Sequence, residues 1–185
     1  MSQPMPYWQS QPRYDGGVYD LTHLQPWNTT ILAPGSPGPE GSAGSEKVRM
    51  PICFKFSYHC CTDKDSTRLG LGDLVVESER PEERRRLCPV RWFASRNLKE
   101  TLRSAMSGRL APINNYQWVL HTKLPGISHT WIVFLKFMPG PPNGCAIASV
   151  ETSYLTGDPI KGGREENFAY IAHRTRQTGQ LYGVR

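Results

Sequence analysis

Arginine supplies the most distinctive chemistry in this sequence. Arg84, Arg85 and Arg86 are consecutive, and Arg91, Arg96, Lys99, Arg103 and Arg109 follow at intervals of three to six. A guanidinium presents a rigid planar fork of donors that suits phosphate better than the point charge of lysine. Nine cations lie between Arg80 and Arg109 against Glu82, Glu83 and Glu100, a local net charge of +6. The whole 185-residue chain also carries +6, and its first 46 residues carry −3. So uneven a field attracts polyanions: nucleic acid, anionic lipid headgroups or an acidic protein. The alternative is a solvated face on a core-packed helix, where exposed lysine and arginine are ordinary.

Other reactive residue types lack a matching pattern. Cys53, His59, Cys60 and Cys61 cluster, but no Cys-x-x-Cys pair of the kind that marks structural zinc occurs. Cys88 and Cys145 have no motif that sets a histidine or carboxylate beside them for nucleophilic catalysis. Gly70 and Gly72 lack the further glycine and the lysine of a phosphate loop. The expectation is therefore a protein that is not an enzyme and uses no metal or other cofactor and no small-molecule substrate. Five cysteines are an odd number for a disulfide scaffold and read as reduced, packed thiols. Trp92, Phe93, Tyr116, Trp118 and Trp131 could stack bases beside Arg91 and Arg96. Aromatic residues at a spacing of two more often fill a core, and no signature of an RNA-recognition sheet or a KH loop is present.

The elements that would position these residues fall into two parts. Residues 1–46 read as a flexible Pro/Gly-rich arm and linker, and residues 47–185 as a globular α+β domain. The arm holds seven prolines and ends in the Gly/Ser/Pro stretch from Ala33 to Gly44, which has little to bury. It also carries Tyr7, Trp8, Tyr14, Tyr19 and Trp27, which either fold back on the domain or anchor a partner, such as a second copy of the chain. Pro4-Met5-Pro6-Tyr7 approximates a proline-tyrosine peptide of the WW-binding kind, with Met5 in place of the second proline. Met1-Ser2-Gln3-Pro4 does not open like a secretory signal, and no apolar run is long enough to span a bilayer. A soluble intracellular or membrane-peripheral protein is expected.

The domain pattern predicts a single β-rich α+β fold with a mainly antiparallel sheet and one short basic amphipathic helix. Ile52, Phe54, Phe56 and Tyr58 alternate with polar neighbours, as do Tyr116, Trp118 and Leu120. The segment from Trp131 to Phe137 is apolar on both faces until Lys136, as in a central strand. Pro139 to Gly144 should turn it back into a strand over 145–155. Weaker strands are expected over 74–77, 89–93 and 168–173. The helix is expected over 95–107, capped by Ser95 and closed by Gly108. Its apolar side is Leu98, Leu102, Ala105 and Met106, and Arg96, Lys99 and Arg103 lie on the other.

A proline-containing arm, net basicity and a compact α+β domain with a basic helix give a layout that resembles small matrix proteins of negative-strand RNA viruses, the rhabdovirus kind in particular. That resemblance implies a structural protein of the virion and host cytoplasm, peripheral to membrane. It would bridge an anionic membrane and the nucleocapsid or its RNA through Arg84, Arg85, Arg86, Arg91, Arg96, Lys99, Arg103 and Arg109, and self-associate through the arm. The runner-up is a nucleic-acid-binding viral protein (a silencing suppressor, movement or capsid protein) using the same basic patch. Arg84-Arg85-Arg86 also resembles a nuclear-import patch, so a nuclear location stays open. A cellular adaptor whose arm supplies peptide motifs is a third reading.

Overall fold

The computed structural model describes residues 6–34, 47–64, 73–75, 85–114, 116–141, 144–158 and 160–182. Within them the chain forms a β-rich domain with a curled, mostly antiparallel sheet and three short helices. A small hairpin comes first, β1 (Arg13–Tyr14) with β2 (Gly17–Val18). The main sheet uses β3 (Trp27–Pro34), β4 (Lys47–Phe56), β8 (Arg109–Asn114), β9 (Gln117–Lys123), β10 (Thr130–Met138), β11 (Ala146–Thr156) and β12 (Glu166–Asn167). Its order is β12-β8-β9-β10-β11-β4-β3, with only β11 and β4 parallel. A second sheet places β7 (Arg85–Leu87) between β5 (Thr62–Lys64) and β6 (Leu74–Val75). The helices are α1 (Pro89–Ser95), α2 (Leu98–Ala105) and α3 (Phe168–Thr178).

The alternation seen in the sequence becomes the inner face of β4, where Met50, Ile52 and Phe54 are fully buried. β10 lies at the centre of the seven strands, and its Trp131, Ile132, Val133 and Leu135 are all inaccessible. Both faces of this strand are covered. One meets the main core, in which Phe168 of α3 packs against Phe54 and Phe137. The other joins a smaller cluster of Ala111, Val119, Ile132 and Phe134. The expected β10–β11 hairpin forms, with a register shift between Phe134 and Leu135. Its turn requires Gly140, where an added Cβ would come within 1.9 Å of the Cys145 carbonyl oxygen.

Three expectations change. Residues 89–93 and 168–173 are helical rather than extended. Pro89 sits at the first position of α1, where its missing N–H costs nothing. Asn167 caps α3 by accepting from the Tyr170 N–H at 3.1 Å, and Gly179 closes it at φ +64°. The expected 95–107 helix begins at Leu98, while Ser95 ends α1 and donates to the Trp92 carbonyl.

The larger change concerns the arm. Residues 7–34 belong to the folded body, because their apolar side chains have places to go. Tyr7, Leu21, Leu24, Ile31 and Ala33 are buried, and β3 pairs with β4 over its whole length. Tyr7 donates its hydroxyl to the Phe56 carbonyl, so this tyrosine is held inside rather than offered as a peptide motif. Residues 1–5 and the linker over 35–46 lie outside the described residues. No helix among the described residues is long and apolar enough to cross a membrane.

Candidate functional site

The cations that the sequence groups together are separated by the fold. Arg84 lies outside the described residues. Arg85 points inward: it is 6% exposed, with Nε donating to Thr62 Oγ1 at 3.0 Å and Nη2 to the Thr62 carbonyl at 3.3 Å. Arg86 is half-buried in the middle strand of the small sheet. Arg91 leans on the main sheet, donating to the His59 carbonyl at 3.2 Å and Thr152 Oγ1 at 3.4 Å, with its guanidinium 5.6 Å from the Tyr154 ring centre. Asp63 stands 3.9 Å from it. Arg109 starts β8 and donates to the Glu165 carbonyl at 2.8 Å, beside that residue's carboxylate. These four do not present one surface. Alternation explains it: a β7 side chain that faces the core must go in whatever its charge.

What remains together is the group on the two consecutive helices. Arg96 and Arg103 are exposed and Lys99 is half-buried between them. The Lys99 amine is lowered from its usual pKa, first by burial and then by Arg103, so the two cations share one neighbourhood. Glu100 opposes them and pairs with Arg103 at 3.1 Å. On the preceding turns, Val90 is 61% exposed and Phe93 56%. They are three residues apart on α1 and so share a face. The exposed pair of α1 thus stands directly before the cationic group in the chain.

Aromatic rings from the N-terminal segment support this face. Tyr19 meets Trp92 edge-on at 4.9 Å, Trp92 Nε1 donates to the Asp20 carbonyl at 2.9 Å, and Arg96 lies 5.1 Å from the Trp92 ring centre. His23 Nε2 is 2.7 Å from Ser95 Oγ, and burial pushes the imidazole down to about 4. Trp27 stacks on Phe54 at 5.0 Å while the Arg103 guanidinium sits 4.9 Å from its centre. Trp27 thus touches both the core ring of β4 and a cation of α2. Tyr7 meets Trp8 and Tyr58, and Tyr14 meets Tyr19. The five rings expected to anchor a second copy are therefore engaged in their own domain. Phe93 was weighed only as a base-stacking ring or a core filler, and Val90 was missed as a surface group because the segment read as a strand.

Cys60 and Cys61 are buried, and burial raises the Cys60 thiol to about 12 and the Cys61 thiol well above its usual value. Among the described residues no three His, Cys, Asp or Glu side chains are grouped to hold a metal ion. A cleft of about 770 Å3 gathers Arg109, Arg164 and Arg174, with Glu165 and Glu166 among them.

No curated protein and no solved structure matches the chain. The sequence model of the YjaZ family, a bacterial family, matches residues 11–176. This overturns the resemblance to viral matrix proteins, and with it the structural role in a virion and the viral nucleic-acid-binding alternatives. That resemblance rested on an arm-plus-domain layout, which dissolves once residues 7–34 are part of the fold. The match reaches from inside the former arm into α3, and on that extent this chain belongs to the YjaZ family.

Proposed function

We propose that the protein acts by binding rather than by catalysis, and that its ligand is an anionic membrane surface. The observation that carries this reading is the exposure of Phe93 and Val90 on α1 directly before Arg96, Lys99 and Arg103. Apolar side chains beside cations are the chemistry of interfacial docking: the rings and methyls enter the acyl boundary while the cations meet headgroups. Burying what remains exposed of Phe93 and Val90 contributes about 1 kcal/mol each. Each cation near an anionic surface adds about 1 kcal/mol. Glu100 offsets part of the second term, so attachment is weak and reversible. RNA would want open aromatic faces for stacking. Trp27 lies against Phe54 and Arg103, and Trp92 against Tyr19 and Arg96, so beside these cations only the Phe93 ring of α1 is left exposed, and one ring gives a run of bases little to stack on.

Co-sedimentation with vesicles of phosphatidylcholine alone, and of phosphatidylcholine with phosphatidylserine, tests this over a salt series. Binding should require the anionic lipid, weaken with salt, and fall at least several-fold in Phe93→Ser and in the Arg96→Gln/Lys99→Gln pair. Binding to single-stranded RNA but not to vesicles would overturn the reading, as would vesicle binding indifferent to both variants.

A further inference from the structure

Strand β3 forms one edge of the seven-stranded sheet, with β4 on one side and no strand on the other among the described residues. Natural edge strands are usually blunted by charge, proline or a bulge. From Trp27 to Ala33 this strand has no charge and no proline, and its pairing with β4 shows no register shift.

The prolines reveal which backbone groups face outward. Thr30 stands opposite Pro51. Opposite residues in an antiparallel ladder either exchange both hydrogen bonds or neither, and a pair containing proline cannot exchange both. Thr30–Pro51 is therefore a non-bonded pair, and by alternation so are Asn28–Cys53 and Leu32–Arg49. The N–H and C=O groups of Asn28, Thr30 and Leu32 accordingly point to the open edge. Pro34 has the same parity, so its missing donor also faces out, where a strand tolerates proline. The side chains of Asn28, Thr30 and Leu32 are exposed.

We propose that β3 pairs antiparallel with β3 of a second copy about a two-fold axis at Thr30, joining the two sheets. Asn28 then stands opposite the partner's Leu32 and Thr30 opposite the partner's Thr30. Pro26 and Pro34 are equidistant from Thr30 in sequence, so each meets the other across the axis and the ladder ends cleanly at both sides. The strand is thus fitted to itself. Charge agrees: a copy of an uncharged strand brings no like charges into register, although the body of each chain is basic. A groove of about 610 Å3 that Leu32 and Pro34 share with Met106 also carries Lys47, Arg103 and Glu166, so charges of both signs stand beside this strand. The interface lies within the segment where self-association was expected, but it is a strand edge and not the aromatic rings.

Sedimentation velocity of the full chain over protein concentration and salt is the test. The expected result is a dimer that grows with concentration and with salt, since salt screens repulsion between two chains of charge +6. Thr30→Lys and Thr30→Glu each set like charges face to face at an exposed position and should leave monomers with an unchanged circular dichroism spectrum. An equimolar mixture of the two should dimerise again, because each lysine then meets a glutamate. A wild-type chain that stays monomeric throughout, a dimer that survives both variants, or a mixture that stays monomeric overturns the proposal.

Discussion

Arg103 of α2 lies 4.9 Å from the ring centre of Trp27 in β3, and the same indole stacks on Phe54 of β4 at 5.0 Å. One side chain thereby ties the cationic helix to the edge of the sheet. A guanidinium over tryptophan at a partly exposed site contributes about 0.5–1 kcal/mol. Arg103→Gln should lower stability by about that amount. Trp27→Ala, which also removes the stack on Phe54, should cost about 3 kcal/mol. Urea denaturation of both single variants and the double variant checks this, with the double costing less than the sum because the two side chains touch. Additive losses would show that the stack and the cation act separately.

Arg85 and Arg96 should respond in opposite ways to neutralisation. Arg85 is buried with two hydrogen bonds to Thr62, so Arg85→Ala should destabilise the fold by about 2 kcal/mol or more. Its effect on vesicle binding should be small in whatever protein remains folded. Arg96→Gln should leave the urea midpoint almost unchanged and weaken vesicle binding. A binding loss in folded Arg85→Ala equal to that in Arg96→Gln would return the buried arginine to the surface.

His23 gives the fold an acid-sensitive contact between the N-terminal segment and α1. Burial holds its pKa at about 4 against an ordinary 6.5, ahead of the opposing pull of Asp20. The folded state therefore resists a proton that the unfolded chain accepts. The contribution is fully present above pH 6.5 and is lost as pH falls toward about 4. Its size is roughly 2–3 kcal/mol after allowance for solvent at the partly exposed ring. Urea midpoints across that window should drop in the wild type, and the drop should shrink in His23→Gln. An identical slope in the variant would place the acid sensitivity elsewhere.

Gly140 is the turn residue whose replacement the hairpin cannot absorb. The Cβ of an alanine would strike the backbone carbonyl of Cys145, and backbone cannot rotate away as a side chain can. Gly140→Ala should cost about 2 kcal/mol through displacement of the β10–β11 turn. Gly126→Ala is the comparison: it has open space but φ +74°, so its cost should come from backbone strain alone, about 1 kcal/mol. Thermal unfolding of the two variants ranks the causes, and a larger loss at Gly126 would reverse that ranking.

Period-two alternation and uninterrupted apolar runs made β4 and β10 legible, because each reports a face or a pair of faces that must be covered. Helices α1 and α3 were hidden by the same signal. Pro89-Val90-Arg91-Trp92-Phe93 and Phe168-Ala169-Tyr170-Ile171 are rich in β-favouring residues, yet Pro89, Asn167 and Gly179 supply the end groups that settle the matter. The arm was misjudged because its prolines and its acidity resemble an unstructured tail. Tyr7, Leu21, Leu24 and Ile31 are spread too irregularly to show a period, although each fills a place in the core. The cationic face was legible in composition but not in extent. Charge is counted along the chain, whereas the inward turn of Arg85 and the lean of Arg91 are decided by strand parity and by contacts with β11.

Cysteine reactivity offers a direct check on the packing beneath the small sheet. Cys60 and Cys61 are both buried, and loss of solvent is the first cause of their raised thiol pKa values, about 12 for Cys60. The Cys60 thiol lies 3.7 Å from the Val150 carbonyl and the Cys61 thiol 3.3 Å from that of Tyr58, where both serve as weak donors. Thiolates attack alkylating reagents and thiols do not. At mildly alkaline pH, Cys53, Cys88 and Cys145, all half-exposed, should be modified first. Cys60 and Cys61 should react only at the rate at which the chain opens, and subdenaturing urea should accelerate these two while leaving the others nearly unchanged. Iodoacetamide labelling with peptide mapping reads each site separately. Rapid labelling of Cys60 in the folded protein would mean that the β4–β5 corner is open to water, and the inward course of Arg85 on the adjoining strand would then fail with it.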